Sequence, residues 1–305
     1  MTNEQRQAGP TTREFSLRAP AKLNLTLHVV GRRPDGFHDL RSLVCGIDLC
    51  DRVTARADTG GAISIACDVP ALSGPDNLVV RAVEALRDLS GCRLGLSVGL
   101  FKRIPIGAGL GGGSSDAAAA FRLARTAWGL PLPDDLLAEA GARVGSDVPL
   151  FLKLPSAVIT GRGEQVQAVR LAWTGFFLLI HADRHVSTAD VYGVFRRRIC
   201  RRPPPDRTED ALRATSATEL SARLHNDLEE AVYLLHPGLK ALKDQAEHLL
   251  GRALHLTGAG STWFAPVDEE AEAKRLAERI CAAKLGLRAE VVGGLTSAPV
   301  VEERG

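Results

Sequence analysis

Ile104-Pro-Ile-Gly-Ala-Gly-Leu-Gly-Gly-Gly-Ser-Ser-Asp116 is the stretch that decides the fold. Five of the seven residues 107–113 are glycine. Glycine loses more backbone entropy on folding than any other residue, so such a run needs a compensating use. Close approach of the backbone to an anion is that use: with no side chains in the way, several N–H groups can point at one phosphate. A strand expected over 94–103 leads in, and a helix expected over about Ser115–Trp128 leads out. The start of that helix adds unpaired N–H groups and the positive end of a dipole. Pro105, Gly107, Gly109, Leu110, Gly111, Gly112, Gly113, Ser114 and Ser115 are therefore expected to form a phosphate cradle. The two serine hydroxyls can reach phosphate oxygens or a magnesium ion. The run is not a Walker loop, which ends in Gly-Lys-Ser/Thr. Nor does it open a Rossmann unit after the first strand.

Upstream, Leu23, Leu25, Leu27 and Val29 alternate with Lys22, Asn24, Thr26 and His28 in an extended stretch, Phe15–Val30. A period of two places Lys22 and Asn24 on one face of a strand. Arg32-Arg-Pro-Asp-Gly36 supplies a turn, and more strands are expected near 40–56 and 61–68. Asp76 is expected to cap a helix over about Asn77–Leu89, with Leu78, Val79, Ala82, Val83, Leu86 and Leu89 on one face. Downstream the pattern predicts a helix over about 134–143 and strands around 157–160 and 175–181. Helices near 227–250, a small glycine turn at 257–261 and a helix–strand pair near 268–292 follow. Strands and helices mix without regular βαβ alternation, so the expected class is α+β.

Composition narrows the function. Lys and Arg number 38 against 36 Asp and Glu, a formal net charge of +2. That balance excludes a protein whose main business is coating nucleic acid. Hydrophobic residues at 45% and charged residues at 24% suit a globular chain. Its 305 residues accommodate one large or two moderate domains. No stretch approaches the ~18 apolar residues of a membrane helix. Residues 1–12 are polar and lack an apolar leader, so no membrane contact is expected and the chain is read as cytoplasmic. Cys45, Cys50, Cys67, Cys92, Cys200 and Cys281 form no CxxC pair and no metal-ligand spacing. They read as reduced thiols, and no dedicated metal site is expected. The basic segment Arg196–Asp210 lacks interleaved aromatics and reads as a solvated loop rather than an RNA-binding arm.

Three features in chain order resemble the kinase superfamily of galactokinase, homoserine kinase, mevalonate kinase and phosphomevalonate kinase: the Lys22 strand, the 105–115 loop and Thr257-Gly-Ala-Gly260. Within it, five motifs resemble the 4-diphosphocytidyl-2-C-methyl-D-erythritol kinases. These are Pro20-Ala-Lys-Leu-Asn-Leu25, Gly31-Arg-Arg-Pro-Asp-Gly-Phe-His38, Gly109-Leu-Gly-Gly-Gly-Ser-Ser-Asp116, Gly145-Ser-Asp-Val-Pro149 and Asn226-Asp-Leu-Glu229. The likeness spans about residues 15–295. It implies a two-lobed α+β small-molecule kinase with ATP and substrate in the inter-lobe cleft. The implied division is a flexible tail over 1–13, an N-terminal lobe over 14–155, a C-terminal lobe over 156–295 and a tail over 296–305. The implied reaction is ATP-dependent phosphorylation of the 2-hydroxyl of 4-diphosphocytidyl-2-C-methyl-D-erythritol, on the non-mevalonate route to isoprenoid precursors. ATP is the implied donor, with Mg2+ borne mainly by its phosphates.

Phosphoryl transfer to an alcohol needs an in-line hydroxyl, charge neutralisation and a proton acceptor. The resemblance makes Asp147 that acceptor; taken alone, an Asp in a turn caps a helix just as readily. It makes Lys22 the partner that keeps Asp147 ionised and donates to the acceptor hydroxyl. Taken alone, a solvated edge-strand lysine fits equally well. Asn24 shares that face and is expected to touch substrate. Phe37 and His38 stand where the family presents an aromatic–His pair to cytosine, and Thr188 and Tyr192 match a polar contact and a second aromatic over the base. Thr257, Gly258, Ala259 and Gly260 form the C-terminal glycine turn.

Departures exist. Phe37 replaces the more frequent Tyr, Ile180-His-Ala-Asp-Arg184 lacks the usual Pro-Gly, and Ala259 lacks a hydroxyl common there. One rival is a kinase of the same superfamily acting on mevalonate or homoserine, substrates with no base for Phe37, His38 and Tyr192 to hold. Another is a non-catalytic nucleotide-binding regulator, against which the intact Lys22 and Asp147 stand. The expected partners are ATP and a small cytidine-diphosphate substrate, with no nucleic acid, in a monomer or homodimer.

Overall fold

The computed structural model describes residues 13–198 and 205–304. The tail expected over 1–13 lies outside them but for Arg13, as does the centre of the basic segment, Cys200 included. In chain order the elements begin with β1 (Glu14–Asn24), β2 (Thr26–Arg32), β3 (His38–Asp58), β4 (Ile63–Cys67), α1 (Leu78–Ser90) and β5 (Gly95–Phe101). Next come α2 (Gly112–Ala127), α3 (Asp134–Val144), α4 (Val148–Leu152), β6 (Ser156–Gly161), β7 (Gln165–Ala168) and β8 (Phe176–His181). Four helices and one short strand follow: α5 (Thr188–Arg198), α6 (Thr208–Leu212), α7 (Ala217–Ser221), β9 (His225–Asn226) and α8 (Glu229–Leu235). The chain ends with α9 (Pro237–Leu250), β10 (His255–Leu256), β11 (Thr262–Val267), α10 (Glu270–Ala282), β12 (Arg288–Gly293) and β13 (Glu302–Arg304). The mixture of helices and sheets is the expected α+β class.

Two sheets form among the described residues. The larger, of nine strands, is built on the long strand β3. β1 and then β2 run antiparallel along one side of β3, while β6 and then β5 pair along the other. β7 extends β6, β4 joins β5 in parallel, β9 joins β2 in parallel, and β13 joins β1. Residues 302–304, expected within a tail, are thus a sheet edge, with Glu14 opposite Arg304. The smaller sheet is antiparallel in the order β10-β11-β8-β12.

Core packing explains how β1 reaches the site. Phe15, Leu17 and Ala19 pack with α1, α2 and α3 on the helix side, whereas Ala21 and Leu23 join a core shared with Phe177, Leu179 and Phe264 of the smaller sheet. The switch coincides with a register shift between Pro20 and Ala21. Proline cannot donate to the ladder, and a bulge sharpens the local twist. With both faces covered, Lys22, Asn24, Thr26 and His28 are all buried, at 5%, 5%, 0% and 4% exposure. The expected single strand over 15–30 is broken at Leu25 into β1 and β2.

Three helix boundaries differ from expectation. Asn77, not Asp76, caps α1: its backbone is extended, and its Oδ1 accepts from the Val79 N–H at 2.9 Å. Val80 is buried in place of Leu89, which is 46% exposed. α2 starts at Gly112 rather than Ser115, so the last glycines of the run are helical. The helical stretch near 227–250 divides at His236-Pro237, because proline suits a first turn and not a helix interior.

Candidate active site

A cavity of about 1090 Å³ opens between the glycine run, the β1–β2 strand and α5. That volume slightly exceeds the usual range for one small ligand. Of the candidate catalytic, phosphate-binding, substrate-binding and C-terminal-turn residues, all but Ser115 and Thr257 line it.

Gly107, Gly109 and Gly111 adopt φ of +68°, +79° and +73°, the left-handed region that favours glycine. Packing closes those positions as well. A Cβ on Gly109 would lie 2.3 Å from the Thr257 carbonyl oxygen, and one on Gly111 would lie 2.8 Å from the Phe151 ring. Gly111 then caps α2, leaving the N–H groups of Gly112 and Gly113 at the positive end of a sixteen-residue helix. Ser114 remains on the cavity wall. Ser115 does not: one residue further along a helix is a turn of about 100°. Its hydroxyl is buried, with no hydrogen-bond partner among the described residues. The earlier helix start therefore turns one of the two serines expected in the cradle away from the cavity and leaves Ser114 on its wall.

Lys22 sits under this loop. Its backbone N–H donates to the Leu110 carbonyl at 3.0 Å, and its ammonium donates to Asn24 Oδ1. Asn24 Nδ2 donates in turn to Ser42 Oγ at 2.8 Å, and the Asn24 N–H donates to Thr257 Oγ1 at 3.0 Å. Thr257 is thus a buried brace, not a wall residue, and the hydroxyl anticipated there is used by the β1 backbone. Gly258 and Gly260 follow at φ of +57° and +86°, and a Cβ on Gly258 would lie 3.3 Å from Lys22 Nζ. Asn226 clamps the same turn by donating to the Leu256 and Gly258 carbonyls at 2.9 and 2.8 Å.

Asp147 is half-buried at the start of α4, beside Lys22 but not joined to it in a direct ion pair. Burial pushes the Lys22 ammonium below the ordinary lysine value, and the charge of Asp147 pushes it back up. The β6–β7 turn packs on Asp147 from the other side: a Cβ on Gly163 would lie 3.3 Å from Asp147 Oδ1.

Sequence reasoning missed a buried triad behind the loop. Lys102 Nζ donates to Asp51 Oδ2 and, at 2.6 Å, to Asp116 Oδ2. Asp51 Oδ1 also accepts from the N–H groups of Arg103 and Ile104, at 2.5 and 2.8 Å, which fixes the entry to the glycine run. Asp116 closes the run itself, and Lys102 precedes it, but nothing in local spacing announces Asp51 on β3. Burial pushes the Asp116 carboxyl up to about 7; Lys102 pulls it down and Asp51 adds to the rise. In the unfolded chain the group titrates near 3.8. A folded-state value above the unfolded one means the stabilising contribution is complete at low pH and fades as pH rises through neutrality. Asp116→Asn should therefore gain stability relative to wild type between about pH 5 and about pH 8, read from urea midpoints. A difference that stays flat with pH would rule out this titration.

At the far end of the cavity, the His38 ring stacks on Tyr192 with centroids 5.1 Å apart and 21° between planes, and Phe195 meets His38 edge-on. Burial, with Arg196 and Arg32, pushes the His38 imidazole below its usual value, so it is neutral near pH 7 with one donor and one acceptor. Burial and the charges of Asp147 and Asp227 push the Tyr192 hydroxyl up, so it stays protonated. Phe37 is 53% exposed at the β2–β3 turn, and the Arg162 guanidinium lies 5.1 Å from its ring centroid. Thr188 lines the wall at the start of α5. Tyr192 and His38 cover one face of each other, and Phe37 is the most exposed ring of the three. Arg162 also went unread in the sequence; its one signal is a charged residue between two glycines, Gly161 and Gly163, in a tight hairpin.

Comparison with known proteins places the chain in a family. Residues 77–153 match the family described as GHMP kinases N terminal domain, and residues 208–284 match GHMP kinases C terminal. A 4-diphosphocytidyl-2-C-methyl-D-erythritol kinase of Chromohalobacter salexigens is 38% identical over 266 residues, 87% of each chain. A crystal structure of 4-(cytidine 5'-diphospho)-2C-methyl-D-erythritol kinase superposes with a TM-score of 0.77 at 30% identity, covering 92% of this chain and 100% of that one. Homoserine kinase from Cytophaga hutchinsonii superposes with a TM-score of 0.73 at 17% identity, covering 98% and 100%. This last likeness concerns the fold alone.

Proposed function

Because the chain belongs to the GHMP kinases, and within them to the 4-diphosphocytidyl-2-C-methyl-D-erythritol kinases, we propose that it phosphorylates the 2-hydroxyl of 4-diphosphocytidyl-2-C-methyl-D-erythritol with ATP. The 2-phosphate formed is an intermediate on the non-mevalonate route to isoprenoid precursors. One observation carries the reading: a single cavity joins a glycine-lined anion cradle to an aromatic pocket of Phe37, His38 and Tyr192. Lys22 adjoins the cradle, and the charge of Asp147 acts on both Lys22 and Tyr192.

In the proposed transfer, the N–H groups at Gly112 and Gly113 and the Ser114 hydroxyl hold the ATP phosphates. The substrate 2-oxygen forms the new bond to the γ-phosphorus as the bond to the β–γ bridging oxygen breaks, and ADP leaves. Asp147 accepts the hydroxyl proton. Lys22, held by Asn24, offsets negative charge at the transferring group. Ser114 Oγ is a hard oxygen donor that suits a Mg2+ ion delivered by ATP, whereas Asp116 is committed to Lys102. When bound, that ion would neutralise charge on the phosphate oxygens. Phe37 offers its face to cytosine, and neutral His38 can both donate to and accept from the base edge. The five described cysteines are unpaired, in keeping with a cytoplasmic enzyme.

ADP release with the cytidine-diphosphate substrate, mevalonate and homoserine tests the reading. Turnover on the first alone is expected; turnover on either of the others alone would overturn it. Phe37→Ala should raise KM for the cytidine substrate by about tenfold to a hundredfold, the 1–3 kcal/mol of one stacking face. KM for ATP should stay unchanged. An equal effect on both would mean that Phe37 serves the cavity generally and not the base.

A further inference from the structure

Outside the cavity, three side chains meet where β2 pairs in parallel with β9. His28 on β2, His225 on β9 and Asp227 just after it each offer a ligand atom, and these atoms all lie within 4.8 Å of one another. None of the three lines the cavity. The backbone fixes their approach: Thr26 is opposite His225, and the Asp227 N–H donates to the Leu27 carbonyl at 2.9 Å. The Val29 N–H donates to Asp227 Oδ2 at 2.7 Å, and His225 Nε2 lies 2.6 Å from Asp227 Oδ1.

His28 is 4% exposed, and its hydrogen bonding is incomplete. Nδ1 is buried with no partner among the described residues. Nε2 lies 3.4 Å from the Arg207 backbone nitrogen and 3.4 Å from Asp206 Oδ1. A neutral imidazole has one N–H and one lone pair. If Nε2 accepts from Arg207, Nδ1 carries a buried proton with no acceptor. If Nε2 donates to Asp206, Nδ1 keeps a buried lone pair with no donor. The second tautomer is that of a metal-bound histidine, with one ring nitrogen on the ion and the other N–H on a carboxylate.

We propose that His28, His225 and Asp227 form a structural site for a divalent transition-metal ion of the zinc class, tying β2 to β9. Two imidazoles and one carboxylate suit zinc and not Mg2+, which prefers oxygen throughout. Ligands of a tetrahedral zinc lie about 3.3 Å apart, given Zn–N and Zn–O bonds of about 2.0–2.2 Å. The donors therefore draw together on binding. The two rings stack with centroids 5.1 Å apart and 22° between planes. Imidazole lone pairs lie in the ring plane, so one ring swings to reach the ion. His225 is the one free to do so, with its side chain 31% exposed and a broad χ2 well. A water completes the coordination. The site went unseen in the sequence because His28 lies so far along the chain from the other two.

The full-length protein, freed of any affinity tag and stripped with chelator, is titrated with Zn2+ by calorimetry and with Co2+ by absorption. One equivalent of zinc should bind and raise the Tm. Co2+ should give d–d bands without a thiolate charge-transfer band. His225→Gln should weaken zinc binding by about tenfold or more and remove the Tm shift. No stoichiometric zinc, zinc held equally well by His225→Gln, or a thiolate band pointing to a cysteine such as exposed Cys281 would each overturn the site. If His225→Gln does not fold, the wild-type Co2+ spectrum decides.

Discussion

Asp147→Asn should lower kcat by about 10²–10⁴-fold, the usual share of a positioned general base. The substitution keeps size and shape, so the fold should survive. Asp147 forms no side-chain cap to α4 that asparagine would lose. KM for ATP should change little, because the cradle is made of backbone N–H groups and Ser114 rather than this carboxylate. The same substitution removes the one charge that pushes back against burial at Lys22. The Lys22 pKa should therefore fall further, making the loss steeper at high pH than at neutral pH. Coupled ADP release across pH checks both parts. Activity within tenfold of wild type would mean that the proton leaves by another route. A mutant loss independent of pH would uncouple Lys22 from Asp147.

Much of this candidate site's lining was legible in the sequence, and the reasons differ by residue. The glycine run announced itself because its composition is costly unless the backbone needs the freedom, as it does at Gly107, Gly109 and Gly111, where φ is positive. Lys22 and Asn24 followed from strand periodicity, since residues two apart share a face whatever the tertiary context. Boundaries failed where a rule was applied one residue too literally. Glycine is a poor helix former, so 112–113 read as loop, yet at a helix start the N–H groups of these residues need no intrahelical partner. Asn77 took the cap from Asp76 for a similarly local reason, the extended backbone at 77. What stayed hidden depends on chain segments meeting in three dimensions. The Asp51–Lys102–Asp116 triad joins β3, the entry to the glycine run and α2. Arg162 comes to Phe37 only through the pairing of β6 with β3. His38 and Tyr192 were each read as facing a base; their mutual stacking could not be foreseen from either position.

The close seating of the two glycine turns makes Gly109→Ala a damaging substitution despite its small size. Left-handed backbone costs a non-glycine residue about 1–2 kcal/mol, and Gly109 has φ +79°. The added methyl would also sit 2.3 Å from the Thr257 carbonyl oxygen and 3.1 Å from that of Gly260. Both are backbone atoms, and neither can rotate aside. Thr257 is pinned by the Asn24 N–H, and Gly258 by Asn226. Relief must come from moving the anion cradle or the C-terminal turn as a body, adding overpacking of about 1–3 kcal/mol. Gly109→Ala should thus lower the urea midpoint and raise KM for ATP together, even though a methyl is the smallest side chain available. Gly113→Ala is the matched control. Its φ is not positive, its new Cβ would meet only Leu78 Cδ1, at 3.7 Å, and it lies in the first turn of α2. Alanine there should hold or slightly raise stability through helix propensity. If both variants unfold alike, glycine content and not the contact with Thr257 governs the loop. If only Gly109→Ala fails, the two turns act as one rigid unit, and Lys22 owes its position to both.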